Sequence, residues 1–219
     1  MEVTGTIMTN FLTHYDSPLG GITLASDDSA LTGLWFDEQR HFGETLRSKH
    51  TVVETQCIAS LPSVLNDTIR WLDTYFSGGI PDFTPSIALR GSEFRQAVWR
   101  VLQNIPYGQT MTYGDIARQL TAEQGIPKVS ARAVGGAVGH NPISLIVPCH
   151  RVIGADSSLT GYAGGIERKA WLLGMEGQKH EEARSRISIS SPSPSLHRRN
   201  KSTNCDSKSP TQSISNTCK

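Results

Sequence analysis

A thiol and an imidazole stand side by side at Cys149-His150, inside Pro148-Cys149-His150-Arg151-Val152 and directly after the apolar run Ile143-Ser144-Leu145-Ile146-Val147. A free cysteine of pKa about 8.5 is only a few per cent thiolate at neutral pH, and a neighbouring base or cation is the cheapest way to make it a nucleophile. The apolar run predicts a buried strand that ends at the pentapeptide. Pro148 removes a backbone donor there and turns the next side chain toward whatever lies beyond the sheet. Taken alone the pentapeptide leaves an inert reading open, because free cysteine is also a common small core residue and a histidine beside it can be chance.

The elements that must position this pair fall into three regions. In the first, Phe11–Tyr15, Ile22–Ala25 and Leu31–Phe36 are β-prone runs separated by Gly, Pro, Asp and Ser, the pattern of an antiparallel meander. Leu65, Ile69, Leu72 and Phe76 then recur at helical spacing, and Gly78-Gly79 supplies the stop. Pro81 to Pro85 reads as a linker. In the second region Ser92 is the N-cap of a helix whose Phe94, Val98, Val101 and Leu102 share a face. Thr112 followed by Asp115 has the form of a capping box and opens a short helix ending near Leu120. Ser130 caps another through Val138. Two short helices joined by a turn are a candidate helix-turn-helix, although such pairs are more often plain packing elements. The third region, rich in Ser, Pro, Asn and Lys/Arg, lacks the apolar residues needed to fold. The fold class is therefore α/β. It comprises a small N-terminal antiparallel-sheet-plus-helix domain over residues 1–89, a mostly helical C-terminal domain with a helix-turn-helix over 90–179, and a disordered tail over 180–219.

Composition narrows the function. A chain of 219 residues with 37% hydrophobic content can bury a sizeable core. It has no apolar span long enough for a bilayer and no secretory leader, so a cytoplasmic protein is expected, nuclear in a eukaryote. Cys57, Cys149, Cys205 and Cys218 form no Cys-x-x-Cys pair, which argues against a disulfide framework or a structural zinc site. The net charge of +1 conceals a polarity: residues 1–89 carry 4 Lys/Arg against 11 Asp/Glu, residues 90–179 carry 10 against 6, and residues 180–219 carry 7 against 3. Only the second half suits a polyanionic partner. Within it Ala131, Ala133, Gly135, Gly136 and Ala137 leave almost no bulk around one large side chain, Arg132. Two helical glycines cost about 0.5 to 1 kcal/mol each relative to alanine. They fit either close helix-to-helix packing or close approach to a DNA groove.

Further matches surround the pentapeptide: Asn141-Pro142 before it, Arg132-Ala133-Val134-Gly135-Gly136-Ala137 upstream, and Gly161-Tyr162-Ala163-Gly164-Gly165 with Lys169-Ala170-Trp171-Leu172-Leu173 after it. In order and spacing this set resembles the O6-alkylguanine-DNA alkyltransferases, suicide DNA-repair proteins, in their bacterial Ogt-like form. The resemblance is strong from Gly91 to Gly177. It is weaker in Ser17-Pro18-Leu19-Gly20 and from Trp71 to Gly78, and it stops near Lys179.

What the resemblance implies is direct reversal of DNA damage. Cys149 would accept an alkyl group from O6 of guanine, and from O4 of thymine, once per molecule, because a thioether offers water no carbonyl and no good leaving group. His150 would be the base, acting through a water, and Glu176 would orient it. Tyr113 would lie against the flipped base and donate a hydrogen bond to it. Asn141 would bridge the helix-turn-helix to the active-site strand. Arg132 would fill the gap left by the extruded nucleotide, with Ala131, Ala133, Gly135, Gly136 and Arg151 also at the DNA. Val147, Val152, Tyr162 and Ala163 would form the base pocket with Tyr113, and Lys169 would support it. Double-stranded DNA is the implied partner of a monomer, with no cofactor, no metal and no membrane. From the residues alone, Tyr113 also fits a core aromatic and Asn141 a turn residue before Pro142. Ala163 stands where some relatives have serine, and Ala137-Val138-Gly139-His140 lacks an arginine that some members carry, which bears on substrate breadth and DNA affinity.

The alternative within the same resemblance is a non-enzymatic protein that binds alkylated bases and flags them; such relatives replace the cysteine by tryptophan, so Cys149 argues against it. A Cys-His hydrolase would need an oxyanion hole and a third orienting residue in a peptide or ester cleft. A regulator switched by alkylation would need an extra domain or metal-binding cysteines.

Overall fold

The computed structural model describes residues 9–46, 51–54, 61–124 and 128–189. Strands β1 (Thr9–Ser17), β2 (Gly20–Ser26) and β3 (Leu31–Phe36) form the antiparallel meander that the turn residues between them dictate. A fourth strand, β4 (Thr51–Glu54), adds in parallel to β1, giving the order β3-β2-β1-β4. Helix α1 (Ser63–Phe76) packs Val64, Leu65, Trp71, Leu72 and Tyr75 inward, and Gly78 at φ 82° ends it. Directly after the expected linker the chain rejoins the sheet. Leu31 donates to Ser86 and Ala88 to the Leu31 carbonyl, so residues 86–88 continue along the free edge of β3.

The second half is helical, as its periodicity predicts. Ser92 caps α2 (Glu93–Gln103) through the Arg95 amide at 3.4 Å, and Ser130 caps α4 (Ala131–Gly139) through the Ala133 amide at 3.1 Å. Helix α3 (Tyr113–Gln124) runs past Leu120, further than expected. Its capping box is complete: Thr112 donates from its amide and hydroxyl to Asp115 Oδ2 at 3.1 and 2.6 Å, and the Asp115 amide returns a bond to Thr112 Oγ1 at 3.1 Å. Helices α3 and α4 make the helix-turn-helix pair, and α2 locks onto α4 through Trp99 Nε1 donating to the Ala137 carbonyl at 2.8 Å.

Two expectations are corrected. Residues 143–147 are not a strand. Ile143 makes a single parallel bridge with Leu34, flanked by Leu34 N to Pro142 O and Ser144 N to Leu34 O, both 2.9 Å. The chain then turns at Leu145, φ 68°, into a 3-10 turn, Cys149–Arg151. The run is apolar because it is buried on every side, which a strand and a buried turn share. Helix α5 (Ile166–Ile189) also continues past Lys179 into the segment expected to be unstructured, in keeping with the helix-forming residue types at 178–186. The rest of that segment, with Cys57, Cys205 and Cys218, lies outside the described residues.

After the 3-10 turn, β6 (Val152–Ile153) pairs in parallel with β5 (Met111–Thr112). This two-residue ladder ties the start of α3, hence Tyr113, to the end of the Cys149 turn. One continuous apolar cluster runs from Ile22 and Leu34 of the sheet through Val98 and Leu102 of α2 to Val147 and Cys149.

The capping box therefore has a positional role. Thr112→Ala and Asp115→Ala are each expected to lower unfolding free energy by about 1 kcal/mol, and the double variant to lose less than the sum, since both act on one reciprocal pair. Urea unfolding of the four chains checks this; additive losses would show that the two side chains act independently.

Candidate active site

The site is built around one carboxylate. Glu176 comes from α5, fully buried, and five donor contacts converge on it. Tyr75 donates its hydroxyl to Oε1 at 2.7 Å; Arg151 donates Nη2 to Oε1 at 2.9 Å and Nε to Oε2 at 2.8 Å; the Gly108 amide reaches Oε2 at 3.2 Å; and His150 Nε2 lies 2.9 Å from Oε1. Burial by itself raises the pKa of Glu176, but the bonds from His150 and Arg151 outweigh it and hold the carboxyl far below its usual 4.5. Arg151 completes the anchor by donating Nη1 to the Ile105 carbonyl at 2.7 Å and lying over the Tyr107 ring.

His150 is neutral in this setting. Burial lowers its pKa, and the charges of Arg151 and Lys169 add to that, against the opposing pull of Glu176. A neutral ring beside a carboxylate carries its proton on the nitrogen facing it, so Nε2–H donates to Glu176 and Nδ1 presents a lone pair. Among the described residues that Nδ1 is buried and has no hydrogen-bond partner. It is a free acceptor inside the buried group.

Cys149, 3% exposed, has its thiol pushed up by burial. The hydrogen bond from Asn141 Nδ2 to Sγ, 3.0 Å, and the ammonium of Lys169 act in the other direction and favour a thiolate once one forms. Asn141 does more than touch sulfur. The same amide donates to Val147 O at 2.8 Å and Ile143 O at 3.2 Å, and its Oδ1 accepts from the Ile143 amide at 3.1 Å. It makes the pairings that a neighbouring strand would otherwise supply to a buried, irregular segment. Lys169, fully buried, donates Nζ to the Val152 and Thr160 carbonyls, and burial lowers its pKa to about 8. The cation thus joins the Cys149 turn to the 155–165 loop.

The remaining predicted residues divide into a cleft and a face. Tyr113, at the start of α3, donates its hydroxyl to Thr160 O at 2.9 Å; burial, then the nearby sulfur of Cys149, raises its pKa, so it stays a donor. Tyr162, buried, is raised further by the same causes. An open cleft of about 600 Å³ lies between the 38–41 turn, α4 and the 161–168 segment; it reaches Tyr162 and Ala163, whereas Val147 and Val152 are fully buried behind it. On α4, Ala131, Arg132, Ala133 and Gly136 face solvent, and Arg132 has no partner among the described residues.

Arg151 corrects an expectation. Placed by sequence at the DNA, it is buried with its guanidinium on Glu176, because a fully enclosed carboxylate needs a bidentate cation more than the surface needs another charge. His150 follows Cys149 on a 3-10 turn. Tyr75 was legible only as a helix-face aromatic one turn from Leu72. Its bond to Glu176 spans a sequence separation of 101, for which no local pattern exists.

Both halves of the chain resemble known proteins. Residues 93–178 match the 6-O-methylguanine DNA methyltransferase DNA-binding domain, and residues 10–89 match the ribonuclease-like domain of the same methyltransferases. The chain is 46% identical over 168 residues to a methylated-DNA–protein-cysteine methyltransferase of Mycolicibacterium paratuberculosis, covering 77% of this chain and 92% of that one. It is 40% identical over 163 residues to a protein of the same name from Methanosarcina acetivorans, covering 74% and 96%. Among solved structures, Mycobacterium tuberculosis OGT in complex with DNA superposes with a TM-score of 0.63 at 44% identity, covering 77% of this chain and 94% of that one.

The Glu176 network makes a signed statement about pH. With its pKa below 4.5 in the folded chain, the group stays ionised where the unfolded chain takes up a proton, so its contribution is full above about pH 4.5 and is lost as pH falls toward the folded value. Glu176→Gln leaves Arg151 buried without a counter-charge and is expected to cost about 3 to 5 kcal/mol at neutral pH. Urea unfolding at pH 7 and pH 3 should show that deficit narrowing in acid. A deficit of equal size at both would mean that the carboxylate's charge is not what stabilises the site.

Proposed function

Because the chain belongs to the 6-O-methylguanine DNA methyltransferase family, we propose that it repairs alkylated DNA by moving the alkyl group from O6 of guanine to Cys149 in a single, irreversible turnover. The observation that carries this reading is a buried thiol followed directly in the chain by a neutral histidine whose Nδ1 lone pair is buried and without a partner among the described residues.

The reaction needs a thiolate, an aligned alkyl carbon and relief of charge on the departing base. A water held by His150 Nδ1 takes the Cys149 proton, and the imidazolium so formed is stabilised by Glu176. Sulfur attacks the alkyl carbon in line; the S–C bond forms as the C–O6 bond breaks, and its electron pair leaves on the guanine. The Tyr113 hydroxyl, a donor at neutral pH, leaves the Thr160 carbonyl and turns to the base, easing its departure. No cofactor or metal enters this step. Asn141 and Lys169 hold the sulfur and its turn in place. Backbone groups near Val147, Val152 and Ala163 read the base edge, and because residue 163 carries no hydroxyl, O4-alkylthymine is accepted as well.

Access requires the nucleotide to leave the duplex, which costs a few kcal/mol. Exposed and without a partner among the described residues, Arg132, the second residue of α4, is suited to the gap: planar, charged and rich in donors. Glycine at 136 supports the same reading. A Cβ built there would meet nothing within 4 Å, and at Gly135 only ordinary contact with Tyr113 at 3.8 Å, so close helix packing does not require glycine at either position. A DNA groove lying against this face does. A cytoplasmic monomer acting on double-stranded DNA completes the reading; no helix among the described residues is long and apolar enough to cross a membrane.

Arg132→Ala is expected to slow transfer from O6-methylguanine in duplex DNA far more than from the free alkylated base, measured as single-turnover rates; equal losses on both would contradict an extruding role. Gly136→Leu is expected to leave the melting temperature unchanged or raised, since helical glycine is about 0.5 to 1 kcal/mol worse than a helix former, while weakening duplex binding. A variant that binds DNA normally would remove this helix from the interface.

A further inference from the structure

A second cluster of chemistry-bearing side chains lies outside the relay and joins the two halves of the chain. His41 and Glu44 stand on the turn after β3, where the Glu44 amide donates to the His41 carbonyl at 3.2 Å, and His140 is the residue that ends α4. His41 Nδ1 is 3.3 Å and His140 Nε2 3.9 Å from the same oxygen, Glu44 Oε2. All three candidate ligand atoms lie within 4.8 Å of one another.

What distinguishes this group from a chance surface pairing is how the other atoms are engaged. His140 Nδ1 is 2.7 Å from the Gly136 carbonyl, which can only accept, so the ring carries its proton there and aims the Nε2 lone pair into the cluster. A backbone carbonyl on the far nitrogen is the usual way a ligating imidazole is oriented. Glu44 turns its other oxygen, Oε1, toward Arg95 Nη1 at 3.7 Å, leaving Oε2 for the two histidines. His41 holds a left-handed backbone, φ 64°, which costs a residue other than glycine about 1 kcal/mol or more and persists only where the surroundings impose it. The two imidazole rings stack with centroids 3.8 Å apart, so both side chains already face one another across the two halves.

We propose that His41, Glu44 and His140 bind one divalent transition-metal ion of the zinc class, clamping the turn after β3 to the end of α4. Two imidazole nitrogens and one carboxylate oxygen select such an ion over calcium or magnesium, which prefer oxygen ligands throughout. Metal–ligand distances of about 2.0 to 2.2 Å put tetrahedral ligands roughly 3.3 Å apart; His41 and Glu44 already stand so, and His140 lies 3.9 Å from the same oxygen, needing only a modest side-chain shift. With His41 and Glu44 partly exposed, a solvent molecule completes the coordination. No sequence spacing announces the site, because its ligands come from both domains. His41 and His140 also line the cleft beside Gly135 and Gly136, so the ion would fix the rim of that cleft against the helix proposed to enter DNA.

The test uses the full chain, stripped with a chelator and titrated with cobalt(II) by absorption spectroscopy and with zinc(II) by thermal unfolding. One cobalt per chain is expected, with ligand-field bands but no thiolate-to-metal charge transfer, which separates this site from the cysteines. Zinc should displace cobalt and raise the melting temperature, since a ligand bound only by the folded state stabilises it. His41→Gln, Glu44→Gln and His140→Gln should each weaken binding about 10-fold or more and remove the zinc-dependent rise, with the metal-free melting temperature unmoved. A thiolate-type spectrum, a titration that never saturates, or equal affinity in the three variants would overturn the proposal.

Discussion

The architecture of the active site follows from one constraint: a carboxylate, Glu176, is fully enclosed and must be satisfied from all sides. An ion taken out of water is expensive unless its charge is matched and its lone pairs are used. Five donor contacts from four residues meet that requirement, and they come from α1, the 3-10 turn and a backbone amide of the segment after α2. The carboxylate thereby fixes where these segments sit relative to α5. Burial, with the charges of Arg151 and Lys169 adding to it, keeps His150 neutral and available as a base.

Acid and base roles are divided by environment. The thiol is driven up by burial and the imidazole driven down, so the resting pair is thiol and neutral imidazole, not an ion pair. Such a pair keeps its nucleophile unreactive until proton transfer is coupled to substrate, which suits a residue that can be used once. Asn141 and Lys169 keep the geometry during this wait. Asn141 replaces strand pairing around an irregular buried turn, and Lys169 cross-links that turn to the loop facing Tyr113.

Much of this was legible in the sequence where it depends on local chemistry. The meander follows from turn residues, and β3 occupies Leu31–Phe36 as its pattern indicates. Ser92, Ser130 and the Thr112–Asp115 box announce their helices because capping is satisfied within a few residues. Legibility ended where the pairing is distant or the pattern ambiguous. An apolar pentapeptide at 143–147 looks the same whether strand partners or an asparagine side chain satisfy its backbone. Arg151 reads as a surface cation until the burial of Glu176 is known, and Tyr75 as a core aromatic. Strand β4 is a parallel edge with no turn signal linking it to β1.

Peptide mass mapping tests most directly whether Cys149 is the alkyl acceptor. After incubation with duplex DNA containing O6-methylguanine, the peptide carrying Cys149 should gain a single methyl group in place of a hydrogen, in stoichiometric yield and without further turnover, and Cys149→Ala should gain none. Methylation on any other residue, or repair of many lesions per chain with Cys149 unmodified, would contradict the account.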